Sequence, residues 1–433
     1  MLMSLMARTN RSVTLFTFAL MINYALLPIL VNYFFLPNPF FIELSQLTIL
    51  ACISIVIGYS SRLFDVRFIE STKRIEITAQ LFHVLVWSSF TVFLVVTFLT
   101  ADNIPLISAF KGATLNELSE QRGAFLKTRV GKELILTYLN TLYVSAFLPY
   151  SLALLFIKRE RFRILAVILF LAYTISFLQK TLFLNVALPL AYLTIRMNSL
   201  GGQRKNWISG RSLALILGSV ALLYFITTLA FGSPESDSQM SGRRDSGEFF
   251  EASYVPTNAI DHLIWRSVAV PIFTASDTLI VFEQQFQRQS LLGATSAFFT
   301  GLFSLEPVPM ERLVFAYQWG WNATANSNAV YITEAFVNFG WLGVVLFSLF
   351  IGQSIRWFYY SKDEAFKSLL LIYYFCLFSS GLIGTLLSNG YLLIFFIGLY
   401  VKVIITSPHN ESDSRDLFAS STNYHLPYAS RRA

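Results

Sequence analysis

Apolar stretches of roughly 15 to 25 residues recur from Ser12 through Thr406, and that recurrence constrains the fold more than any motif. About 20 apolar residues wound into a helix at 1.5 Å per residue match the roughly 30 Å hydrocarbon layer of a bilayer. In lipid every backbone amide must find its partner inside the protein, so only helices and closed barrels cross. Segments such as LALLFIK and VVLFSLFIG are apolar all round and lack the alternation of barrel strands, so the spans are helices. Of the 433 residues, 55% are hydrophobic and only 13% charged, against about 25% in soluble domains. That balance excludes a disordered chain, a collagen, a coiled coil and a small disulfide-stapled domain. Cys52 and Cys376 lie within apolar segments and support neither a disulfide framework nor a thiolate metal site.

Ten spans are expected, near 12–35, 40–59, 79–101, 134–157, 164–178, 181–195, 212–231, 329–352, 368–386 and 390–406. The first follows Arg8 and Arg11 and is too long for a signal-peptide core of about 7 to 15 residues, so it is expected to stay as an anchor. The net charge of +7 reports orientation here rather than nucleic-acid binding. With the amino terminus inside, 21 of the 32 Lys and Arg residues fall in inner segments, and the outer side is poor in them for its length. The stretches 102–135 and 232–328 are then outer loops. Residues 1–406 form one helical bundle, and 407–433 are expected to be a disordered inner tail.

Nearly a hundred residues without structure would be exceptional in a compact protein, so 232–328 is expected to fold. Its apolar runs at 259–286 and 288–305 are interrupted by His262, Arg266, Asp277, Glu283 and Arg288, as in amphipathic helices on a membrane surface. An alternative topology makes 263–282 and 290–305 a further spanning hairpin, giving twelve spans. Its cost is about 2.5 to 3.5 kcal/mol for each charged residue placed in hydrocarbon.

Glu334 is the acidic residue placed clearly inside an expected span, about 7 Å below the outer end of its helix. Asn338, four residues on, shares its face. A carboxyl at that depth either bonds within the helix packing or faces a wet cleft, where it can act as a general base. Gly340 and Gly343 are expected to permit close helix approach. Arg122, Lys127, Arg129, Arg243, Arg244, Arg266 and Arg312 gather in the two outer loops. Such donors suit a diphosphate collectively, although each alone also fits a lipid headgroup. Asp261 and His262 are adjacent and so do not face each other on a helix, which favours a structural role. The acidic triplet at Glu235 to Asp237 lacks accompanying His or Cys ligands, and no metal is expected. No glycine-rich nucleotide loop occurs, so neither ATP, NAD nor another cofactor is expected.

The segment from Asn326 to Gly352, above all ITEAFVNFGWLGVVLFSLFIG, resembles the carboxy-terminal signature of bacterial oligosaccharide repeat-unit polymerases, which build O-antigen and exopolysaccharide. The matching positions are Glu334, Asn338, Phe339, Gly340, Leu342 and Gly343. QRGAFLKTR, with Arg122 and Arg129, resembles the basic motif of that family's earlier periplasmic loop, and Lys180 stands where many members have Arg. The resemblance implies an all-α bundle of the lipid-dependent glycosyltransferase type in the bacterial inner membrane, both termini cytoplasmic. It implies transfer of a growing glycan from undecaprenyl diphosphate to a hydroxyl of the next lipid-linked repeat unit at the periplasmic face. Glu334 would be catalytic; Arg122, Arg129, Arg266 and Arg312 would bind diphosphate; Asn338, Lys180 and Asn328 would support them. A chain-length-determining copolymerase and a flippase are implied partners, beside membrane lipid. An O-antigen ligase shares the layout with a different acceptor. A secondary transporter or lipid-linked oligosaccharide flippase is the reading from another class, expected to show repeated halves and helices broken at the midplane.

Overall fold

The computed structural model describes residues 11–61, 74–113, 117–118, 121, 125, 134–178, 180–200, 218, 247–320, 326–327 and 329–404. In chain order the described helices are α1 (Ser12–Phe34), α2 (Pro39–Ser60), α3 (Ala79–Leu99), α4 (Pro105–Phe110), α5 (Ile135–Ile157), α6 (Arg163–Ser176), α7 (Lys180–Leu200) and α8 (Ala259–Phe286). They continue with α9 (Ala297–Phe303), α10 (Met310–Trp319), α11 (Tyr331–Tyr360), α12 (Glu364–Ser368), α13 (Leu370–Ser379), α14 (Leu382–Leu386) and α15 (Tyr391–Tyr400). Six of them, α1, α2, α3, α5, α8 and α11, are long and apolar enough to cross a membrane. The protein is a helical membrane protein, and one buried apolar cluster draws on residues from Val13 to Ile397.

Two helices show how a proline is accommodated where water cannot help. Pro28 and Pro149 each follow a π-helical turn, Ile22–Leu26 in α1 and Tyr143–Phe147 in α5. A proline has no N–H for the carbonyl four residues back, which in α1 is Tyr24. The Thr48 hydroxyl lies 3.1 Å from that carbonyl and 2.8 Å from the Leu44 carbonyl of its own helix, and the Ser45 hydroxyl lies 3.0 Å from the Ala25 carbonyl and 2.7 Å from that of Phe41. Two hydroxyls three residues apart on α2 thus share their protons between their own helix and the carbonyls of α1 beside the proline.

The bundle's central contact is α2 against α11. A Cβ added to Gly58 would lie 2.3 Å from the carbonyl oxygen of Leu349, and one added to Gly352 would lie 2.3 Å from that of Ile55. Backbones this close require glycine on both sides. At the same end Gln353 reaches the carbonyls of Gly58 and Ser61, and Arg356 donates to the carbonyl of Tyr59 at 3.0 Å.

Several expectations change. A two-stranded parallel sheet, β1 (Ile75–Thr78) with β2 (Val401–Ile404), joins the segment before α3 to the end of α15, so the fold is not wholly helical. The pairing places both segments at one end of the bundle. The stretch 368–386 is not one helix: it is interrupted at Ser380 and Gly381, between α13 and α14. The alternative span at 290–305 reduces to the seven residues of α9, too short to cross. The pair expected at 164–178 and 181–195 forms α6, an apolar helix of 14 residues, and α7, which runs on to Leu200. The expected span at 212–231 lies outside the described residues except for Gly218, as does the tail 407–433.

Length and composition make α8 a candidate span, and several of its contacts gather at one end of the bundle. Ser276 meets Asn38, Ile272 packs on Val31 and Phe41, and Arg288 pairs with Glu43, all around the turn between α1 and α2. Phe250, which precedes α8, packs on Phe35 of that same turn, with ring centroids 5.6 Å apart. That end carries the candidate site.

Candidate functional site

The site begins with a broken helix. Gly340 in α11 has φ +62° and ψ −154°, a conformation that side-chain-bearing residues essentially avoid, so α11 is two helices meeting at this glycine. A break orphans the carbonyls before it. Leu291 donates its N–H to Val337 at 3.1 Å and Leu292 donates to Asn338 at 2.9 Å, so the segment after α8 supplies what the helix lost. The Asn338 side chain completes the junction. Its amide donates to the Thr295 hydroxyl at 2.7 Å and to the Glu334 carbonyl at 2.9 Å, while its oxygen accepts from the N–H of Gly293 at 3.1 Å. The expected role of Gly340 in helix approach is therefore replaced by a backbone break. Gly343 packs across it, where a Cβ would lie 2.4 Å from the Ala335 carbonyl oxygen.

The short first half of α11 carries Glu334 to the second interruption, between α13 and α14. Ile383 offers its N–H to the carboxylate at 3.4 Å, a long bond. A Cβ on Gly381 would fall 2.1 to 2.2 Å from the carboxylate atoms, so only glycine leaves Glu334 its position. Both helix breaks thus meet at one carboxyl.

Glu334 lines a cavity of about 670 Å³. Its walls hold Thr295, Ser296, Asn326, Ser327, Ser380 and Ser388, which offer neutral hydrogen-bonding groups. Arg312, exposed on α10, is the lining cation among the described residues, and Glu311 is a second lining carboxylate. Tyr138, Phe298 and Leu387 also line it and are exposed apolar side chains, which in a membrane protein face lipid. A polar interior with an apolar lip suits an amphiphile.

The structure places the remaining expected residues unevenly. Asn338 lies fully buried behind the cavity as the bracket just described. Arg266 is exposed on α8 and does not line the cavity. Lys180 opens α7. Arg122, Lys127, Arg129, Arg243, Arg244, Asn328 and the triplet Glu235 to Asp237 lie outside the described residues. Asp261 accepts from the Tyr254 hydroxyl and the Thr257 N–H, while its own N–H is capped by Asn258 at 2.8 Å, a helix-start role. His262 packs near Trp265. Among the described residues no group of three His, Cys, Asp or Glu side chains is arranged to hold a metal.

Sequence reasoning missed Gly381, Ser327 and the α13–α14 break. The cluster SSGLIG, with two serines and two glycines inside an apolar run, carried the signal for the break. Comparison with known protein families, with curated proteins and with solved structures finds no match to this chain.

Proposed function

We propose that this protein is a glycosyltransferase that polymerises undecaprenyl-diphosphate-linked oligosaccharide repeat units, with the cavity around Glu334 as its active site. The observation that carries the reading is the cavity itself: the half-buried Glu334 carboxylate, the exposed Glu311 carboxylate and Arg312 guanidinium, and neutral hydroxyl and amide groups open beside an apolar rim. A sugar head fits such walls, and a polyprenyl tail fits the lipid beyond Tyr138, Phe298 and Leu387.

In the proposed reaction the bond from the anomeric carbon to the diphosphate oxygen breaks, and its electron pair leaves on the diphosphate. Arg312 balances that charge. The acceptor hydroxyl oxygen forms the new bond to the anomeric carbon, and its proton passes to Glu334. Arg122, Arg129 and Arg266 are proposed to hold the diphosphates of the two carrier lipids. The ten-span layout, with 102–135 and 232–328 at the periplasmic face of the inner membrane, belongs to this proposal.

Deleting the gene and resolving surface polysaccharide on a gel tests it. A single repeat unit in place of a ladder supports polymerisation. Bare core with polymer retained on the carrier lipid overturns it in favour of a ligase, and an unchanged ladder overturns both. Orientation is tested with Lys111→Cys, at an exposed position, because Cys52 and Cys376 are buried and contribute little background. A membrane-impermeant maleimide should label it in intact spheroplasts. Labelling only after lysis overturns the orientation.

A further inference from the structure

Ser327 sits on the cavity wall with its orientation set from behind. Its N–H donates to the carbonyl of Glu311 at 3.0 Å, and its hydroxyl lies 2.6 Å from Oε1 of Gln318. Glu311 and Gln318 are seven residues apart on α10, so one helix face holds the serine at both its backbone and its side chain. Gln318 is itself fixed: its Nε2 donates to Oδ2 of Asp277 at 2.7 Å and lies 3.4 Å from the Thr274 hydroxyl, both on α8.

The polarity of this chain follows from its α8 end. Gln318 Nε2 faces two oxygens that can accept, Asp277 Oδ2 and the Thr274 hydroxyl, so the NH₂ side of the amide points to α8. The amide oxygen then faces Ser327. That oxygen carries no hydrogen, so the serine hydroxyl must donate its one proton backward. What remains at Ser327 is a pair of acceptor lone pairs beside the cavity.

We propose that Ser327 is a specificity-determining contact that accepts a hydrogen bond from a sugar hydroxyl or acetamido N–H of the lipid-linked substrate. Asp277 is a positioning residue acting through Gln318. This rests on the cavity being the glycosyl-transfer site. A ligand group without a hydrogen to donate, such as an ether or a methylated hydroxyl, leaves those lone pairs unpaired and is disfavoured there.

The test uses the full-length protein in liposomes, with the lipid-linked repeat unit extracted from a strain lacking the gene. Ser327→Ala should raise KM by about 10-fold with kcat nearly unchanged, as for a contact made equally before and during reaction. Ser327→Thr, which keeps the hydroxyl, should restore it. Asp277→Asn frees Gln318 to turn over and should raise KM in the same direction. The double variant Asp277→Asn with Ser327→Ala should be no worse than Ser327→Ala alone, because both act through one oxygen. If Asp277→Asn does not accumulate, Gln318→Met closes the same cycle. Losses that multiply, or an unchanged KM in Ser327→Ala, overturn this inference while the transferase reading stands. No transfer by the unaltered protein overturns both.

Discussion

Two carboxylates flank the same long helix, and they are built for opposite purposes. Glu334 lies in the first turn of α11 and Asp363 three residues past its end, both half-buried. Asp363 is held by three bonds of the fold: it accepts from the Tyr150 hydroxyl at 2.5 Å and from the N–H groups of Ala365 at 2.9 Å and Phe366 at 3.2 Å, capping α12. Glu334 is approached only by the backbone N–H groups of Ile383, at 3.4 Å, and Leu382 among the described residues, and an open cavity lies before it. A carboxylate whose acceptor sites are filled by the fold holds structure, whereas one left underused beside open space is available to a ligand. Burial alone does not separate the two; unspent hydrogen-bonding capacity does.

The comparison breaks most sharply with isosteric amides at the two positions. Glu334→Gln keeps shape and loses proton acceptance, so transfer should fall by about 10² to 10⁴-fold with normal accumulation of protein. Polymer synthesis by membranes of a complemented deletion strain measures this. A full ladder from a normally expressed variant removes Glu334 from the chemistry and makes it a packing residue like Asp363.

A smaller effect comes from moving the carboxylate instead of replacing it. In Gly381→Ala the new methyl occupies the place of the Glu334 carboxylate, a flexible side-chain end that can be pushed aside. Misplacement of a catalytic group on the order of 1 Å costs up to about 100-fold, so a loss of roughly 10 to 100-fold is expected at nearly unchanged melting temperature. Loss of melting temperature in proportion to activity would mark the contact as packing only.

Gly340→Ala tests the break on its own terms. No atom lies within 4 Å of the added Cβ, so the cost is conformational rather than steric, about 1 to 3 kcal/mol for a residue forced into this region. Thermal unfolding in detergent reads it, and an unchanged melting temperature would show that α11 does not need the broken conformation.

The sequence made these features legible to different degrees. Hydrophobic run length located α1, α2, α3 and α5 to within a few residues, because lipid permits little else over 20 apolar positions. The shared face of Glu334 and Asn338 was also readable, since it follows from helix geometry. The break at Gly340 was not, because a glycine in an apolar run serves equally for close packing, as Gly352 does, or for a positive φ, as Gly340 does. Which one applies depends on whether another segment brings N–H groups to the freed carbonyls. Here that segment is 291–293, some 45 residues away in the chain, and no local pattern announces it.

The smallest effect is expected at the other carboxylate. Asn caps a helix about as well as Asp, and with its oxygen on the Ala365 and Phe366 N–H groups its NH₂ faces the Tyr150 hydroxyl oxygen, which can accept, so Asp363→Asn should change stability by less than about 1 kcal/mol and leave transfer intact. The pH dependence gives the sign. Burial raises the Asp363 carboxyl above its ordinary value, outweighing the opposing pull of the Tyr150, Phe366 and Ala365 bonds. A group whose value is raised by folding favours the folded state while protonated and loses that contribution as pH climbs through the raised value. Below the ordinary carboxylate range the wild type keeps its full contribution from this group. Above it, the wild type carries the cost of a buried charge, and the neutral amide introduced by Asp363→Asn does not. Melting temperatures of the two proteins across pH should therefore shift in favour of Asp363→Asn as pH rises. A shift the other way would mean that the three hydrogen bonds outweigh burial, and that Asp363 is held as a stabilised anion rather than a tolerated one.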